Sequence, residues 1–373
     1  MIFKDFKGKK LSALGMGCMR FPTQENGEID EVQTAEMFDY AIQNGVNYFD
    51  TAWGYHNGQS EIVTGKLLKK YPRDSYYLAD KFPGYDLSNM GKVEEIFEKQ
   101  LKKTGAEYFD FYLFHNVCER NIEEYLDEKN GIFDYLMQQK ANGRIRHLGF
   151  SAHADLPTLK RFLEKYGHAM EFGQLQLNWI DWTFQKGAEK VQLLQEYGIP
   201  VWVMEPVRGG KLAQLAPKHE AVLKALRPDE SIAAWAFRFL QSKEGLVVTL
   251  SGMSNFAQLK ENVETYAAEK PLNEAEGKAL ENILSEMLEG ITPCTACRYC
   301  TEYCPQGLNI PELLELYNEH KFSGGGFIAP MRISALAEDK RPSACIACRA
   351  CEGVCPQRIA ISEVLADFSE RLK

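Results

Sequence analysis

The chain of 373 residues has no run approaching the roughly 20 consecutive apolar residues of a membrane span. Its start, Met1-Ile-Phe-Lys-Asp-Phe-Lys7, lacks the apolar core of a secretory signal. Neither a membrane partner nor a secreted protein is expected. Basic charge is also short: 43 Lys and Arg stand against 52 Asp and Glu, for a net charge of −9. Phosphate backbones are bound by concentrated basic surface, so nucleic acid is excluded as the principal partner. There is no long biased tract, and 45% apolar with 25% charged residues is the balance of a globular chain. No Gly-x-Gly-x-x-Gly follows the first apolar strand, which removes the main signature of an open dinucleotide-binding sheet.

Cysteine, by contrast, is concentrated. Eight of the ten form two identical runs, Cys294-x-x-Cys297-x-x-Cys300-x-x-x-Cys304-Pro305 and Cys345-x-x-Cys348-x-x-Cys351-x-x-x-Cys355-Pro356, each ligand offset by 51 residues. Three thiolates two residues apart wrap one iron–sulfur cube, and the distant Cys-Pro supplies a fourth ligand, often to the other cube. Two 4Fe–4S clusters are expected, with Cys294, Cys297, Cys300 and Cys355 on one and Cys345, Cys348, Cys351 and Cys304 on the second. Zinc is the alternative for four cysteines, but structural zinc sites usually arrive as two separated pairs. After each Cys-Pro an apolar helix is expected, with Pro311 or Ser362 in its first turn, and Ser323-Gly-Gly-Gly326 makes a bend between the halves. The run resembles an α-helical ferredoxin-like module. Thiols kept for clusters need a reducing compartment, so a cytoplasmic location is expected. Cys18 and Cys118 stand apart and read as small buried hydrophobes.

The first 270 or so residues alternate short apolar strands with amphipathic helices. Strands are expected at 13–17, 47–51, 76–80, 109–115, 145–151, 172–178, 199–205 and 246–251, each followed by a helical pattern. Eight such units predict an α/β fold, a (β/α)8 TIM barrel. Gly45, Gly105, Gly143, Gly167 and Gly198 are placed to end helices in a left-handed cap. A hairpin around Lys7-Gly8-Lys9 should plug the barrel floor. The expected domains are 1–272, the barrel, and 273–373, a helical linker and the ferredoxin-like cluster domain.

A barrel uses the carboxyl ends of its strands for chemistry. Strands two to four end near Asp50 with Tyr55, Lys81, and His115. A carboxylate, a phenol, an ammonium and an imidazole on one rim suit carbonyl reduction. The ammonium of Lys81 should lower the pKa of Tyr55 so that the phenol gives a proton to a developing alkoxide near neutral pH. Asp50 would hold Lys81 charged, and His115 would position the carbonyl oxygen. Singly, each residue has a blander use, as a turn cap, a loop aromatic, a solvated charge or a core histidine; their convergence favours chemistry.

At these residues the chain resembles the aldo-keto reductase family. Phe49-Asp50-Thr-Ala-Trp-Gly-Tyr55-His-Asn-Gly58-Gln-Ser-Glu61 is similar to its Asp…Tyr motif. Ala79-Asp-Lys81 and Tyr112-Leu-Phe-His115 are similar to its Lys and His segments, and Gly143-Arg-Ile-Arg-His-Leu-Gly149-Phe-Ser151 to its mid-barrel turn. The resemblance runs from about Leu11 to Ala268. It implies a nicotinamide-dependent reductase using NAD(H) or NADP(H), with Tyr55 as proton donor, Lys81 and Asp50 tuning it, and His115 orienting a carbonyl or alcohol substrate. It also implies that Ser151 and Gln174 hold the nicotinamide carboxamide. Ser251-Gly252-Met253-Ser-Asn255, with Gln258 and Glu261-Asn262, then occupies the adenosine-phosphate loop. The cysteine tail is similar to that of a subgroup carrying a C-terminal ferredoxin-like domain.

Three departures stand out. Val203-Met204-Glu205-Pro206 offers Met204 where many members stack an aromatic ring on the nicotinamide. Gly252 and Gln258 stand where NADP-specific members carry a basic residue, with Lys260 or Arg208 as candidate substitutes. The clusters, finally, are not needed for hydride transfer. One reading is therefore a carbonyl reductase with structural or docking clusters. Another is an electron-transfer enzyme whose barrel holds a flavin and whose partner is a ferredoxin or flavoprotein; a third is a non-catalytic sensor, against which the complete set of four rim residues argues. Pocket walls are expected from Met19, Arg20, Trp53, Phe82, Trp179 and His153. Arg20 reads first as a surface ion pair and second as a hint of an anionic substrate.

Overall fold

The computed structural model describes residues 1–373. The chain packs as two units, Met1–Glu281 and Asn282–Lys373. The cut falls inside the helix Glu274–Met287. The division expected at 272/273 lies ahead of this helix, whose first turn is tied to the first unit. There Arg227 donates through Nε and Nη2 to Glu276 at 2.6 and 2.7 Å.

In the first unit β1 (Phe3–Phe6) and β2 (Lys9–Ser12) form an antiparallel hairpin, Phe6 opposite Lys9. Eight parallel strands follow: β3 (Leu14–Gly17), β4 (Tyr48–Asp50), β5 (Tyr77–Phe82), β6 (Phe109–Val117), β7 (Ile145–Ala152), β8 (Gly173–Gln176), β9 (Val201–Met204) and β10 (Leu246–Ser251). They close into a barrel in chain order, β10 pairing with β3 through Ser251 and Met16. The hairpin does plug the floor. The Phe6 ring meets Phe111, His147 and Trp202 at 5.7, 5.0 and 5.1 Å, near the amino ends of β6, β7 and β9. That layer of aromatic rings makes the lower barrel a packed core, which leaves only the upper mouth for a site.

The helices begin where short polar side chains satisfy open backbone N–H groups. Asp30, Asp155, Ser231 and Asn255 each accept from the N–H three residues on. Gly45, Gly105, Gly143 and Gly198 take the expected positive φ, between 65° and 88°. Gly167 does not: its φ is −55°, because the chain continues into a further tight turn, Gly167–Ala169. Space explains this glycine instead, since a Cβ there would sit 2.8 Å from the Tyr197 ring. Three short helices escaped the periodic reading, Ile122–Leu126, Asp181–Phe184 and Pro217–Leu226.

Helix Ser60–Leu68, which follows the Tyr55 loop, lies almost backbone to backbone on Val93–Thr104. A Cβ on Gly65 would come within 2.0 Å of the Thr104 carbonyl oxygen. Backbone cannot yield as a flexible side chain can. Gly65→Ala is expected to destabilise the first unit by about 3 kcal/mol, the upper range for overpacking, measured by urea unfolding.

In the second unit the 51-residue repeat is also a structural one. Ala296 and Ala347, and likewise Arg298 and Arg349, adopt left-handed backbone at equivalent places in the two runs. Gly307 and Arg358, each three residues past its Cys-Pro cysteine, do the same. Helices Ile310–Ser323 and Ile361–Arg371 follow, with Pro311 and Ser362 in their first turns. Gly324 and Gly325, at φ 67° and 90°, end the first of them and form the expected bend. Leu313, Leu314, Leu365 and Phe368 from these helices form a core of their own with Cys300 and Cys351. No helix of the chain is long and apolar enough to cross a membrane.

Candidate active site and cysteine-lined cavities

Alternation along β5 turns Lys81 into the barrel and its neighbours Asp80 and Phe82 outward. The fully buried Lys81 Nζ donates to Asp50 Oδ1 at 2.6 Å and to the Thr51 carbonyl at 2.7 Å. The same ammonium lies 5.0 Å from the centre of the Tyr55 ring. Tyr55 in turn meets His115 edge to face, centroids 6.1 Å apart. Asp50, Tyr55, Lys81 and His115, from three consecutive strand ends, therefore share the one mouth. Asp80, on the outer face, accepts from Gln100 Nε2 at 2.9 Å and from the Lys81 N–H at 2.8 Å, fastening β5 to the helix behind it.

Burial would lower the Lys81 pKa, but the Asp50 carboxylate overcomes it and the net shift is upward, so the ammonium stays charged. Asp50 is pushed up by burial, with Lys81 opposing. His115 is held well below its ordinary 6.5, first by burial and then by the positive charge of Lys81. Tyr55 departs from the expectation. Burial raises its phenol above the ordinary 10.0, and Lys81 only offsets part of that rise. The phenol is thus a firmly protonated acid at neutral pH, not a lowered one.

On the other side of the mouth, Ser151 Oγ accepts from the Asn116 N–H at 2.8 Å. Gln174 donates through Nε2 to Met204 Sδ at 3.6 Å, while its Oε1 is buried with no partner. That orphaned acceptor is the kind of atom a carboxamide N–H would satisfy. Pro206 and Met253 are buried beside the strand ends and Gly252 is exposed. Asn262 Nδ2 donates to Ser251 Oγ at 3.1 Å, and Gln258 Oε1 accepts from the Ser254 N–H at 2.7 Å, so the loop after β10 is braced by its own side chains.

Of the remaining positively charged candidates, Arg208 and Arg20 are engaged. Arg208 is buried and donates through Nε to both Asp181 carboxylate oxygens, at 3.0 and 3.1 Å, and so is not free to meet a phosphate. Arg20 pairs with Glu205 at 3.9 Å, the surface ion pair expected of it. Lys260 is exposed. Phe82 is not a pocket wall: it is fully buried behind β5 against Tyr125, at 6.4 Å between rings. Tyr85, which the sequence reading passed over, meets His115 instead, at 5.1 Å and 89°. Nothing local marked it, because the contact depends on the turn at Gly84 and on the room Gly54 leaves across the mouth. Cys18 and Cys118 are buried, their thiols pushed up by burial to about 12 and about 11.

The eight clustered cysteines divide between two cavities. One is lined by Cys294, Cys297, Cys300 and Cys355, with Leu314 and Ile361 among its apolar walls. The other is lined by Cys304, Cys345, Cys348 and Cys351, with Leu308 and Leu365. Exposure repeats as well: Cys297 and Cys348 are exposed, Cys300 and Cys351 buried, and the other four intermediate. No trio of His, Cys, Asp or Glu converges as a single metal ion would require. Sulfurs ringed around a hollow fit a bulky cube better than one tetrahedral ion. The alternating left-handed backbone in each run is of the kind that turns successive N–H groups inward, which suits an anionic core.

Comparison with known proteins agrees with both units. The family model described as "Aldo/keto reductase family" matches residues 13–285, and that described as "4Fe-4S dicluster domain" matches residues 293–360. The chain is similar to "Probable aldo-keto reductase 1" of soybean, Glycine max, 30% identical over 213 residues. That match covers 55% of the chain and 58% of the soybean protein, so the chain spans little over half the length of that relative. It is 26% identical over 302 residues to "Uncharacterized oxidoreductase YqkF" of Bacillus subtilis, covering 73% of the chain and 92% of that protein. To the "NADH-specific methylglyoxal reductase" of Escherichia coli it is 24% identical over 281 residues, 64% and 84% of the two chains. Among solved structures, the holo form of aldo-keto reductase AKR11C1 from Bacillus halodurans superposes with a TM-score of 0.62 at 24% identity, covering 76% of this chain and 96% of that one. The NADPH complex of an aldo-keto reductase from Klebsiella pneumoniae gives 0.61 at 17%, with coverage of 76% and 96%. The chain belongs to the aldo/keto reductase family of oxidoreductases and carries a C-terminal 4Fe–4S dicluster domain.

Proposed function

We propose that the chain reduces an aldehyde or ketone with a nicotinamide nucleotide, and that Tyr55 delivers the proton. The observation that carries this reading is the buried Lys81–Asp50 ion pair set against the Tyr55 ring with His115 alongside. When bound, the nicotinamide supplies the hydride. His115, neutral because its pKa is held low, orients the carbonyl oxygen toward Tyr55. As charge builds on that oxygen, the Tyr55 hydroxyl gives up its proton to it. An alkoxide's conjugate acid is about as weak as water, near pKa ~16, so the transfer runs downhill even from a phenol above 10.0. Lys81 then stabilises the phenolate, and Asp50 keeps Lys81 charged and aimed.

Ser151 and Gln174 would hold the carboxamide, Met204 and Pro206 the ring, and Ser251, Gly252, Met253, Gln258 and Asn262 the adenosine phosphate end. No basic residue occupies 252 or 258, and Arg208 is committed to Asp181. A missing charge-assisted fork costs NADP(H) at least ~1 kcal/mol, so NADH should serve at least as well as NADPH. The cysteine cavities we assign to two 4Fe–4S clusters, one on Cys294, Cys297, Cys300 and Cys355 and one on Cys304, Cys345, Cys348 and Cys351. Clusters of this kind pass single electrons, and the aliphatic walls limit water around them. They favour one second reading, in which the barrel holds a flavin and exchanges electrons with a ferredoxin or flavoprotein. Thiols kept for such clusters support a reducing compartment such as the cytoplasm.

The test is nicotinamide oxidation by anaerobically purified protein against a panel of aldehydes, oxoacids and sugars, with flavin absorbance recorded beforehand. Reduction needs Tyr55 protonated, so activity is lost only as pH rises through a pKa above 10.0. Protonation of His115 enters only well below 6.5. A flat kcat/KM between pH 6.5 and 10 is expected. Absence of carbonyl-dependent oxidation, together with a bound flavin, would favour the electron-transfer reading.

A further inference from the structure

We propose that Tyr85 is a positioning and specificity-determining residue, fixing the orientation of His115 and narrowing the substrate mouth to short or slender carbonyl compounds. This rests on the carbonyl-reductase reading. The His115 imidazole stands between two phenol rings that meet it edge to face, Tyr55 at 6.1 Å and 83° and Tyr85 at 5.1 Å and 89°. Its Nδ1 is buried and makes no hydrogen bond. No polar partner therefore orients the ring at that nitrogen, and packing against the two tyrosines does so in its place. Without the Tyr85 ring the imidazole can rotate about its last torsion.

Tyr85 is itself held from two sides. The turn before it is closed by the Gly84 N–H donating to the Phe82 carbonyl at 2.8 Å, and the Gly84 carbonyl accepts from Asn121 Nδ2 at 3.1 Å. A Cβ on Gly84 would lie 2.2 Å from the Tyr125 hydroxyl, which donates to the His115 carbonyl at 2.8 Å. One tyrosine thus anchors both the Tyr85 turn and the strand end that carries His115. Across the mouth, the Tyr85 hydroxyl fills the space that a Cβ on Gly54 would need, 2.4 Å away. Gly54 has φ −92° and ψ −5°, a conformation open to any residue. What Gly54 provides is room for Tyr85. The ring bridges the Tyr55 loop and His115, closing the β5 side of the opening.

The experiment uses the full chain with its clusters, histidine-labelled for NMR, with the His115 signal identified by its loss in His115→Gln. The titratable groups facing the imidazole are Lys81, His153, Tyr55 and Tyr85, and all but the last are untouched. Tyr85→Leu should raise the His115 titration midpoint toward its ordinary value and lower kcat on propionaldehyde about tenfold with little change in KM. It should also raise the preference for 1-naphthaldehyde over propionaldehyde. Gly54→Ala should reproduce the kcat loss and the shifted imidazole signal, and adding Tyr85→Phe should relieve both. With the hydroxyl gone, the nearest Tyr85 atom to that Cβ is Cζ at 3.5 Å, an ordinary contact. An unchanged His115 signal in Tyr85→Leu, or a Gly54→Ala defect that Tyr85→Phe does not relieve, overturns the proposal. If Tyr85→Leu does not fold, the Gly54 pair decides. The NMR arm needs no turnover: a wild-type chain that reduces no carbonyl defeats the functional reading, and the imidazole signals still judge Tyr85.

Discussion

Tyr55→Phe is expected to lower kcat for carbonyl reduction by about two orders of magnitude or more, the lower range for loss of a positioned general acid. Nucleotide affinity should change less than about twofold, since the loss falls on the transition state alone. The phenyl ring keeps its perpendicular contact with His115 and its face toward Lys81, so only the hydroxyl is removed. Lys81→Met would be a poorer probe. It leaves the Asp50 charge buried and unpaired, a loss of roughly 3–5 kcal/mol in stability that would blur the kinetic effect. Stopped-flow measurement of NADH oxidation, with binding followed separately by fluorescence, separates the two quantities. Turnover in Tyr55→Phe within tenfold of the wild type would remove the phenol from the mechanism and leave water or His115 as the proton source.

The proton donor illustrates how far the residues could be read without coordinates. Strand–helix alternation was legible because strands of a parallel barrel are buried on both faces and read as short apolar runs. Asp50, Tyr55, Lys81 and His115, each with an ordinary structural use when taken alone, were legible together because four complementary groups fall at the ends of three consecutive runs. The division of the cysteines between two cavities follows the spacing anticipated for interleaved ligands. What was not legible depends on long-range packing. The sign of the Tyr55 shift turns on how completely the mouth excludes water, and proximity to Lys81 alone suggested the opposite direction. Phe82 was assigned to the wrong face of β5, although the alternation that puts Lys81 inward sends its neighbour out. Gly167 looked like a cap and is a space-maker for Tyr197, a residue thirty positions away. Arg208, a candidate substitute for the missing basic residue, is instead bound to Asp181, also distant in sequence.

Cys355→Ala is expected to remove the cluster of the first cysteine run, not that of the run in which it lies. Two cubes hold about eight iron atoms, so the variant should retain about four per chain. The same result alone would follow from ligation in sequence order, and only pairs of substitutions separate the two. In the interleaved arrangement Cys297 and Cys355 line one cavity while Cys348 lines the other. Cys297→Ala combined with Cys355→Ala should therefore lose no more iron than either alone, whereas Cys348→Ala combined with Cys355→Ala should lose nearly all of it. Ligation in sequence order gives the reverse. Iron analysis of anaerobically purified protein reads this directly, and electron paramagnetic resonance of the reduced single variants shows which signal survives. The pairing has a structural consequence as well. Each cube would take ligands from both runs, Cys304 joining the second and Cys355 the first, and so would cross-link the two halves of the repeat. Losing a cube, whether through Cys297 or through Cys355, should then loosen both halves and the core of Leu313, Leu365 and Phe368 that they share.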